Sequence, residues 1–217
     1  MDKVLNSIAN ICKTHHVDKA LLFGSRARGD HNAKSDYDIA IWCDESLHSK
    51  IASEIEDIDT LYKIDFVFVS DNTDKIFLTN IMKDGVTIMD KLQTKIENYK
   101  KALLRLKEAV EEYNVNNSKV VRDGVIQRFE FTVELAWKSL REYLINQGFE
   151  QHNSPKAVMQ EAFTANYISD EESWINILND RNLTSHIYDD TTAEEIYNRI
   201  VNKHTQAFES LFTFYNK

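Results

Sequence analysis

The stretch between Gly24 and Asp38 constrains the fold of this chain more than any other part of the sequence. An apolar run precedes it and another follows it, and Gly24-Ser25 is separated by ten residues from Asp36-Tyr37-Asp38. Two short buried strands joined by a glycine-bounded turn account for this order. Because alternate side chains share a face of a strand, we expect Asp36 and Asp38 to project together, with Tyr37 on the opposite face.

The residue types in this stretch favour a metal ion and a phosphorylated substrate. Two carboxylates on one strand repel each other unless a cation lies between them. Carboxylate oxygens are hard ligands that suit Mg²⁺. A bound Mg²⁺ keeps several waters and takes its remaining ligands from substrate phosphates. Gly24 lets the backbone approach a phosphate, Ser25 supplies a hydroxyl and an amide, and Arg26 and Arg28 add positive charge.

The same stretch resembles the signature of the polymerase-β-like nucleotidyltransferases, in which Gly-Ser is followed after ten residues by Asp-x-Asp. The third carboxylate of that family lies on a neighbouring strand. Here the apolar run over residues 63–69 offers Asp65, with Val67 and Val69 on the same face. The resemblance thus supplies a candidate for each of the three acidic positions of the family.

For this chain the resemblance implies a two-metal, in-line transfer of a nucleotide from ATP. Asp36 and Asp38 would hold the Mg²⁺ ions that bridge the triphosphate. Asp65 would ligate the second metal and help to deprotonate the acceptor hydroxyl. The nucleotide itself would be held by Gly24, Ser25, Arg26 and Arg28.

The pattern of elements changes near residue 90. Before it, amphipathic helices alternate with short apolar runs. After it, apolar residues recur at steps of four and three over residues 92–113 and 121–144. Capping signals then open three further helices, at Ser154-Pro155, Ser169-x-x-Glu172 and Thr191-x-x-Glu194. We therefore predict an α+β protein: a nucleotidyltransferase domain over residues 1–90, with a mixed sheet and flanking helices, and an all-α antiparallel bundle over residues 91–217.

Composition narrows the function further. The net charge of −9 disfavours broad, sequence-independent binding of nucleic acid. No apolar run approaches the roughly 18 residues of a membrane span, and no secretory signal is present, so a cytoplasmic location without membrane contact is expected. The two isolated cysteines suggest reduced structural thiols. The histidines other than His186, among them His204, are not spaced as metal ligands with cysteines or carboxylates. We expect them at the surface or at helix ends.

A second group of residues, Arg181 and His186, lies inside the helical part. Arg181 continues a stripe set by Trp174 and Leu178, so we expect its guanidinium to face the bundle or a cleft. Such a pair can cleave RNA: the histidine moves a proton on or off the ribose hydroxyl, and the arginine stabilises the negative charge of the phosphorane. Alternatively, Arg181 forms an ion pair and His186 caps the carbonyls at a helix end.

Arg181-x4-His186 matches the R-x(4–6)-H motif of HEPN domains, helical bundles that include dimeric ribonucleases. The segment from Arg122 to Leu140 also looks like the HEPN-type bundles described as nucleotidyltransferase substrate-binding proteins. HEPN and minimal nucleotidyltransferase proteins form toxin–antitoxin pairs, in which the transferase moves AMP onto a tyrosine of R-x(4–6)-H-x-Y and silences the ribonuclease. Tyr188 occupies that position here. The resemblance implies that the transferase domain modifies Tyr188 of its own chain or of a partner chain. Unlike those pairs, this chain carries both modules.

Two other interpretations remain open from the sequence. In the first, the transferase acts on a small-molecule alcohol, such as an aminoglycoside, and the bundle is a binding module in which Arg181 and His186 are structural or orient the substrate. In the second, the chain is a non-enzymatic assembly protein with a decayed site. The intact set of Asp36, Asp38 and Asp65 counts against this second interpretation.

Overall fold

The computed structural model describes residues 2–184 and 189–216. Its internal contacts divide the chain into two compact units, residues 1–94 and 95–217. The first unit combines strands and helices and the second is helical, so the predicted α+β class is confirmed. None of the helices in the described residues is long and apolar enough to cross a membrane.

The N-terminal unit is built on one mixed sheet of four strands. The strands are β1 (Lys19–Phe23), β2 (Tyr37–Trp42), β3 (Ile64–Phe68) and β4 (Val86–Asp90). They lie in the order β3-β2-β1-β4, with β1 antiparallel to β2 and β4, and β2 parallel to β3. The helices of this unit are α1 (Lys3–Thr14), α2 (Gly24–Arg28), α3 (His48–Glu56) and α4 (Lys75–Asp84), with one 3₁₀ turn at Glu45–Leu47.

The two faces of this sheet are covered differently. Apolar side chains of α1 and α3 pack with Tyr37, Ile39 and Ile41 on one face. On the other face, Ala40 and Val69 pack with a smaller group that includes Ile81 of α4. Tyr37 is therefore turned away from the face of Asp38, as the alternation predicted.

The C-terminal unit consists of long helices around a single apolar core. They are α5 (Lys91–Val115), whose first turn belongs to the N-terminal unit, α6 (Lys119–Asn146), α7 (Pro155–Thr164), α8 (Glu171–Thr184), α9 (Asp190–Arg199) and α10 (Thr205–Phe214). A π-helical segment, Ile200–His204, joins α9 to α10. The core contains side chains from all six of these helices, among them Tyr99, Phe129, Met159, Trp174, Ile196 and Phe208.

Of the three N-caps predicted from the sequence for the later helices, the structure has one as predicted and two at a nearby aspartate. Ser154 caps α7 and Pro155 is its first residue, as predicted. In contrast, Asp170 accepts the hydrogen bond from the amide of Ser173, and Asp189 caps α9. An aspartate next to a serine or threonine competes for the same role, because all three are good N-caps.

Candidate active site

Asp38 and Asp65 are direct neighbours on adjacent strands. In the parallel pairing of β2 and β3, Asp38 lies opposite Asp65, so their side chains project from the same face. Asp36 immediately precedes β2 and is half-buried. Burial raises the pKa of the Asp38 carboxyl, the Asp65 and Asp36 carboxylates raise it further, and Lys63 and Arg28 oppose the rise. Asp36 and Asp65 therefore both lie close enough to Asp38 to repel its carboxylate.

Lys63 also belongs to this site. Its Nζ lies 2.6 Å from Oδ2 of Asp65, and this hydrogen bond raises the pKa of Lys63. Lys63 stands two positions before Asp65, so the alternation that places Asp65 on its face also places Lys63 there. That alternation was the sequence signal for it.

Gly24 is held against Asp38 and cannot be replaced without strain. Its φ is +71°, a conformation that side chains disfavour. A Cβ at this position would lie 3.0 Å from Cγ of Asp38 and overlap its Oδ2. The predicted turn is in fact helix α2, in which Ser25 is half-buried, and Gly29 ends it with a φ of +79°.

The two arginines of α2 make different contacts. Arg28 donates to Oδ2 of Asp30 at 3.2 Å and keeps about half of its side chain exposed. Arg26 donates through Nε and one terminal nitrogen to the backbone carbonyl oxygens of Ser35 and Asp36. Arg28 is therefore open to an anionic ligand, whereas the hydrogen bonds of Arg26 are directed to the backbone.

The donor set at this site fits a divalent ion that takes part of its ligands from substrate. Among the described residues, no group of three or more His, Cys, Asp and Glu side chains is arranged to hold a metal. Mg²⁺ commonly binds through one or two carboxylates and substrate phosphates rather than in an all-protein cage. The crowding of Asp38 by two other carboxylates is the observation that favours a cation here.

In the helical unit, Arg181 is exposed and lines a cleft. The cleft is also lined by Glu134, Trp137, Lys156 and Asn182. Burial raises the pKa of the Glu134 carboxyl, but hydrogen bonds from Lys138 and Trp137 outweigh this effect and lower the pKa overall. The nearby Arg181 guanidinium also lowers it. His186 and Tyr188 lie outside the described residues.

Near the end of α8 the buried side chain is Asp180 rather than Arg181, and the hydrogen-bond network around Asp180 was missed from the sequence. Its carboxylate accepts hydrogen bonds from Arg199 at 2.8 and 3.0 Å and from Nε2 of His204 at 2.6 Å. His204 is fully buried, and its ring stacks on Phe129. The expectation of a surface or helix-end histidine was therefore wrong for His204. It lies in the π segment, a distortion that an apolar repeat does not reveal.

A polar cleft lies beside the two residues that flank positions 185–188. Thr184 and Asp189 line it, together with Arg122 and Glu130. Thr184 donates to Oε1 of Glu130 at 2.5 Å. The buried Arg122 forms ion pairs with Asp190 at 3.0 Å and with Glu194 at 3.4 Å, which tie α6 to α9.

Comparison with known families agrees with this architecture. The family model described as nucleotidyltransferase substrate binding protein like matches residues 94–217, more than half of the chain. The chain belongs to this family. The model described as polymerase beta, nucleotidyltransferase matches residues 6–94, so a nucleotidyltransferase domain precedes the substrate-binding-like domain. The resemblances drawn from the two motifs are thereby confirmed at the level of family.

Individual relatives match part of the chain. Probable ribonuclease HepT of Haemophilus influenzae (strain ATCC 51907 / DSM 11121 / KW20 / Rd) is 32% identical over 81 residues, which are 36% of this chain and 56% of that protein. The match thus spans only about half the length of the curated relative. The crystal structure of ttk003001694 from Thermus thermophilus is 33% identical, with a TM-score of 0.50 over 55% of this chain and 99% of that one.

A second solved structure, HI0074 from Haemophilus influenzae, is 24% identical with a TM-score of 0.49. It covers 56% of this chain and 99% of its own, and is described as revealing the fold of a substrate binding domain of a nucleotidyltransferase.

Proposed function

We propose that the N-terminal unit transfers AMP from ATP to a protein tyrosine, Tyr188, in a Mg²⁺-dependent reaction. The observation that carries this proposal is the pairing of Asp38 with Asp65 across parallel strands, with Gly24 packed against the Asp38 carboxylate. The match of this unit to the polymerase beta nucleotidyltransferase family supports the reaction class.

In this reaction the phenol oxygen of the acceptor attacks the α-phosphorus of ATP. One P–O bond forms, the bond to pyrophosphate breaks, and the phenol proton passes to Asp65. Asp36, Asp38 and Asp65 would hold Mg²⁺, which supplies positive charge against the triphosphate. The ion pair with Lys63 fixes the position of the Asp65 carboxylate. The exposed Arg28 would contact the leaving pyrophosphate.

The same proposal gives the helical unit a latent ribonuclease activity. Arg181 is exposed at a cleft, where a guanidinium can reach an RNA phosphate. His186 would move the proton at the ribose hydroxyl. The similarity to Probable ribonuclease HepT supports this second role. AMP on Tyr188 would place a bulky anion two residues from His186 and oppose RNA binding, as in a toxin and antitoxin fused in one chain.

Intact-mass spectrometry tests the transfer directly. The purified protein is measured before and after incubation with Mg²⁺ and ATP, beside Tyr188→Phe and Asp38→Ala. A gain of one or more AMP units is expected in the wild type alone. If Tyr188→Phe gains the same mass, the acceptor is another residue. If no sample gains mass and ATP is not consumed, the transferase assignment is refuted.

A second candidate function keeps the transferase and changes the acceptor. The family that matches residues 94–217 is described by substrate binding, which favours a small-molecule alcohol as acceptor. Consumption of ATP that requires an added aminoglycoside, persists in Tyr188→Phe and stops in Asp38→Ala would establish this alternative.

A further inference from the structure

Arg26 ties the segment that carries Asp36 to the start of helix α2. Its Nε lies 2.9 Å from the carbonyl oxygen of Ser35 and 3.1 Å from that of Asp36, and a terminal nitrogen lies 2.7 Å from the carbonyl oxygen of Ser35. Residues 29–34 are exposed. The other hydrogen bonds described for residues 31–35 join Asn32, Lys34 and Ser35 to one another. Arg26 therefore anchors an otherwise locally bonded loop where it enters β2.

The guanidinium of Arg26 is itself fixed by two aromatic rings. Its central carbon lies 3.9 Å from the centre of the Tyr37 ring and 4.9 Å from that of Tyr62. The Tyr37 hydroxyl donates to Oδ2 of Asp2 at 2.8 Å, while Oδ1 of Asp2 caps α1. Stacking of this kind stabilises a cation and holds the plane of the guanidinium. Arg26 is thus oriented toward the backbone by contacts that involve no substrate.

We propose that Arg26 is a positioning residue that fixes Asp36 for binding a divalent cation, rather than a ligand of the triphosphate. The inference rests on the proposed transferase function and changes the part that Arg26 plays in it. Two of its nitrogen atoms are already engaged with carbonyl oxygens, and lysine cannot reproduce the planar fork that reaches both. Asp36 precedes the first residue of β2, so its backbone is held by this fork where strand pairing has only begun.

An electrostatic role and a positioning role of Arg26 predict opposite effects on the affinity of this site for a cation. If Arg26 acted only as a nearby positive charge, its removal would strengthen cation binding, because like charges repel. If Arg26 positions Asp36, its removal weakens cation binding. Replacement by lysine separates the two completely, because it keeps the charge and loses the fork.

The test is the affinity of the full chain for Mn²⁺ without nucleotide, measured by electron paramagnetic resonance titration. We expect Arg26→Lys and Arg26→Met to weaken Mn²⁺ binding tenfold or more, as Asp36→Ala does. The matched control is Lys34→Met, which removes a positive charge from an exposed residue of the loop and leaves the hydrogen bonds of Arg26 in place. Its Mn²⁺ binding should be unchanged or tighter. Unchanged binding in Arg26→Lys, or tighter binding in Arg26→Met, would overturn the inference.

A milder pair of variants guards against misfolding. Tyr62→Ala removes one ring from Arg26 at a side chain that is 43% exposed, whereas Tyr62→Phe retains the ring. Weaker Mn²⁺ binding in Tyr62→Ala than in Tyr62→Phe, with unchanged circular dichroism, supports the positioning role. Equal affinities in the two variants contradict it.

Failure of this inference is distinguishable from failure of the proposed function. A wild-type chain that binds Mn²⁺ through Asp38 but transfers no AMP refutes the function, and the Arg26 variants still decide the positioning role. A wild-type chain with no Asp38-dependent Mn²⁺ site refutes both.

Discussion

Replacing Gly24 by alanine tests the geometry of the candidate active site, and Gly29→Ala is its matched control. Both glycines have positive φ, +71° and +79°, and both bound the short helix α2. A Cβ at Gly24 would overlap Oδ2 of Asp38, whereas a Cβ at Gly29 would have no heavy atom within 4 Å. The two substitutions therefore share the backbone strain and differ in the collision with Asp38.

The backbone strain sets the expected loss of stability. A left-handed conformation costs an alanine about 1–2 kcal/mol relative to glycine. For a unit of this size, that corresponds to a fall in melting temperature of roughly 5–15 °C. Gly24→Ala should lose more than Gly29→Ala, because the Asp38 carboxylate or the strand that carries it has to move.

The collision sets the expected loss of function. Displacing a group at the reacting centre by about 1 Å can slow a reaction by about 10²-fold. We expect this loss in Gly24→Ala and a rate close to wild type in Gly29→Ala, measured as AMP incorporation by intact mass at a temperature where both are folded. Mn²⁺ affinity should follow the same order. Equal rates and equal Mn²⁺ affinities in the two variants would refute the contact between Gly24 and Asp38 as a constraint on the site.

Two further predictions concern groups away from this site. Asp180→Asn should lower the free energy of unfolding of the helical unit by about 3 kcal/mol at pH 7, because Arg199 and His204 lose a buried carboxylate. Burial raises the pKa of Asp180, but its hydrogen bonds outweigh this and lower it overall, so its contribution is present above about pH 4. The contribution is lost as the pH falls through the lowered pKa, and urea titrations should show the variant and wild type converging there; a constant difference would contradict this. Burial raises the pKa of Cys12 to about 12 and of Cys43 to about 11, so neither thiol should be alkylated by iodoacetamide in the native protein at pH 8, and native labelling seen by mass spectrometry would contradict this.

The parts of the site that follow strand periodicity could be predicted from the sequence. Alternation places Asp38 and Tyr37 on opposite faces of β2, and the family resemblance supplied Asp65 on a neighbouring strand. The register shows that Asp38 and Asp65 are partners. The same alternation places Lys63, two positions before Asp65, on the face of Asp65. Periodicity identifies faces reliably because a strand permits only two of them.

The role of Arg26 could not be predicted in this way. Its partners are backbone carbonyl oxygens at Ser35 and Asp36, and every residue has such an oxygen. Which of them it reaches depends on how the intervening loop closes and on the rings of Tyr37 and Tyr62, and Tyr62 comes from a distant part of the chain. From the sequence, the charge of Arg26 near Gly24, Asp36 and Asp38 indicated phosphate binding. The sequence does not show the direction in which the guanidinium points.

In the helical unit, a rotation by one residue decided which side chain is buried. The stripe of Trp174 and Leu178 extends by three residues to Arg181, yet Trp174 and Ile177 extend equally well by three to Asp180. Consecutive residues of a helix differ by about 100° in direction, so both cannot point into the core. The structure buries Asp180, where Arg199 and His204 neutralise it, and Arg181 consequently faces outward. The proposed contact of Arg181 with an RNA phosphate requires this outward direction, and the buried hydrogen bonds of Asp180 hold the helix in it.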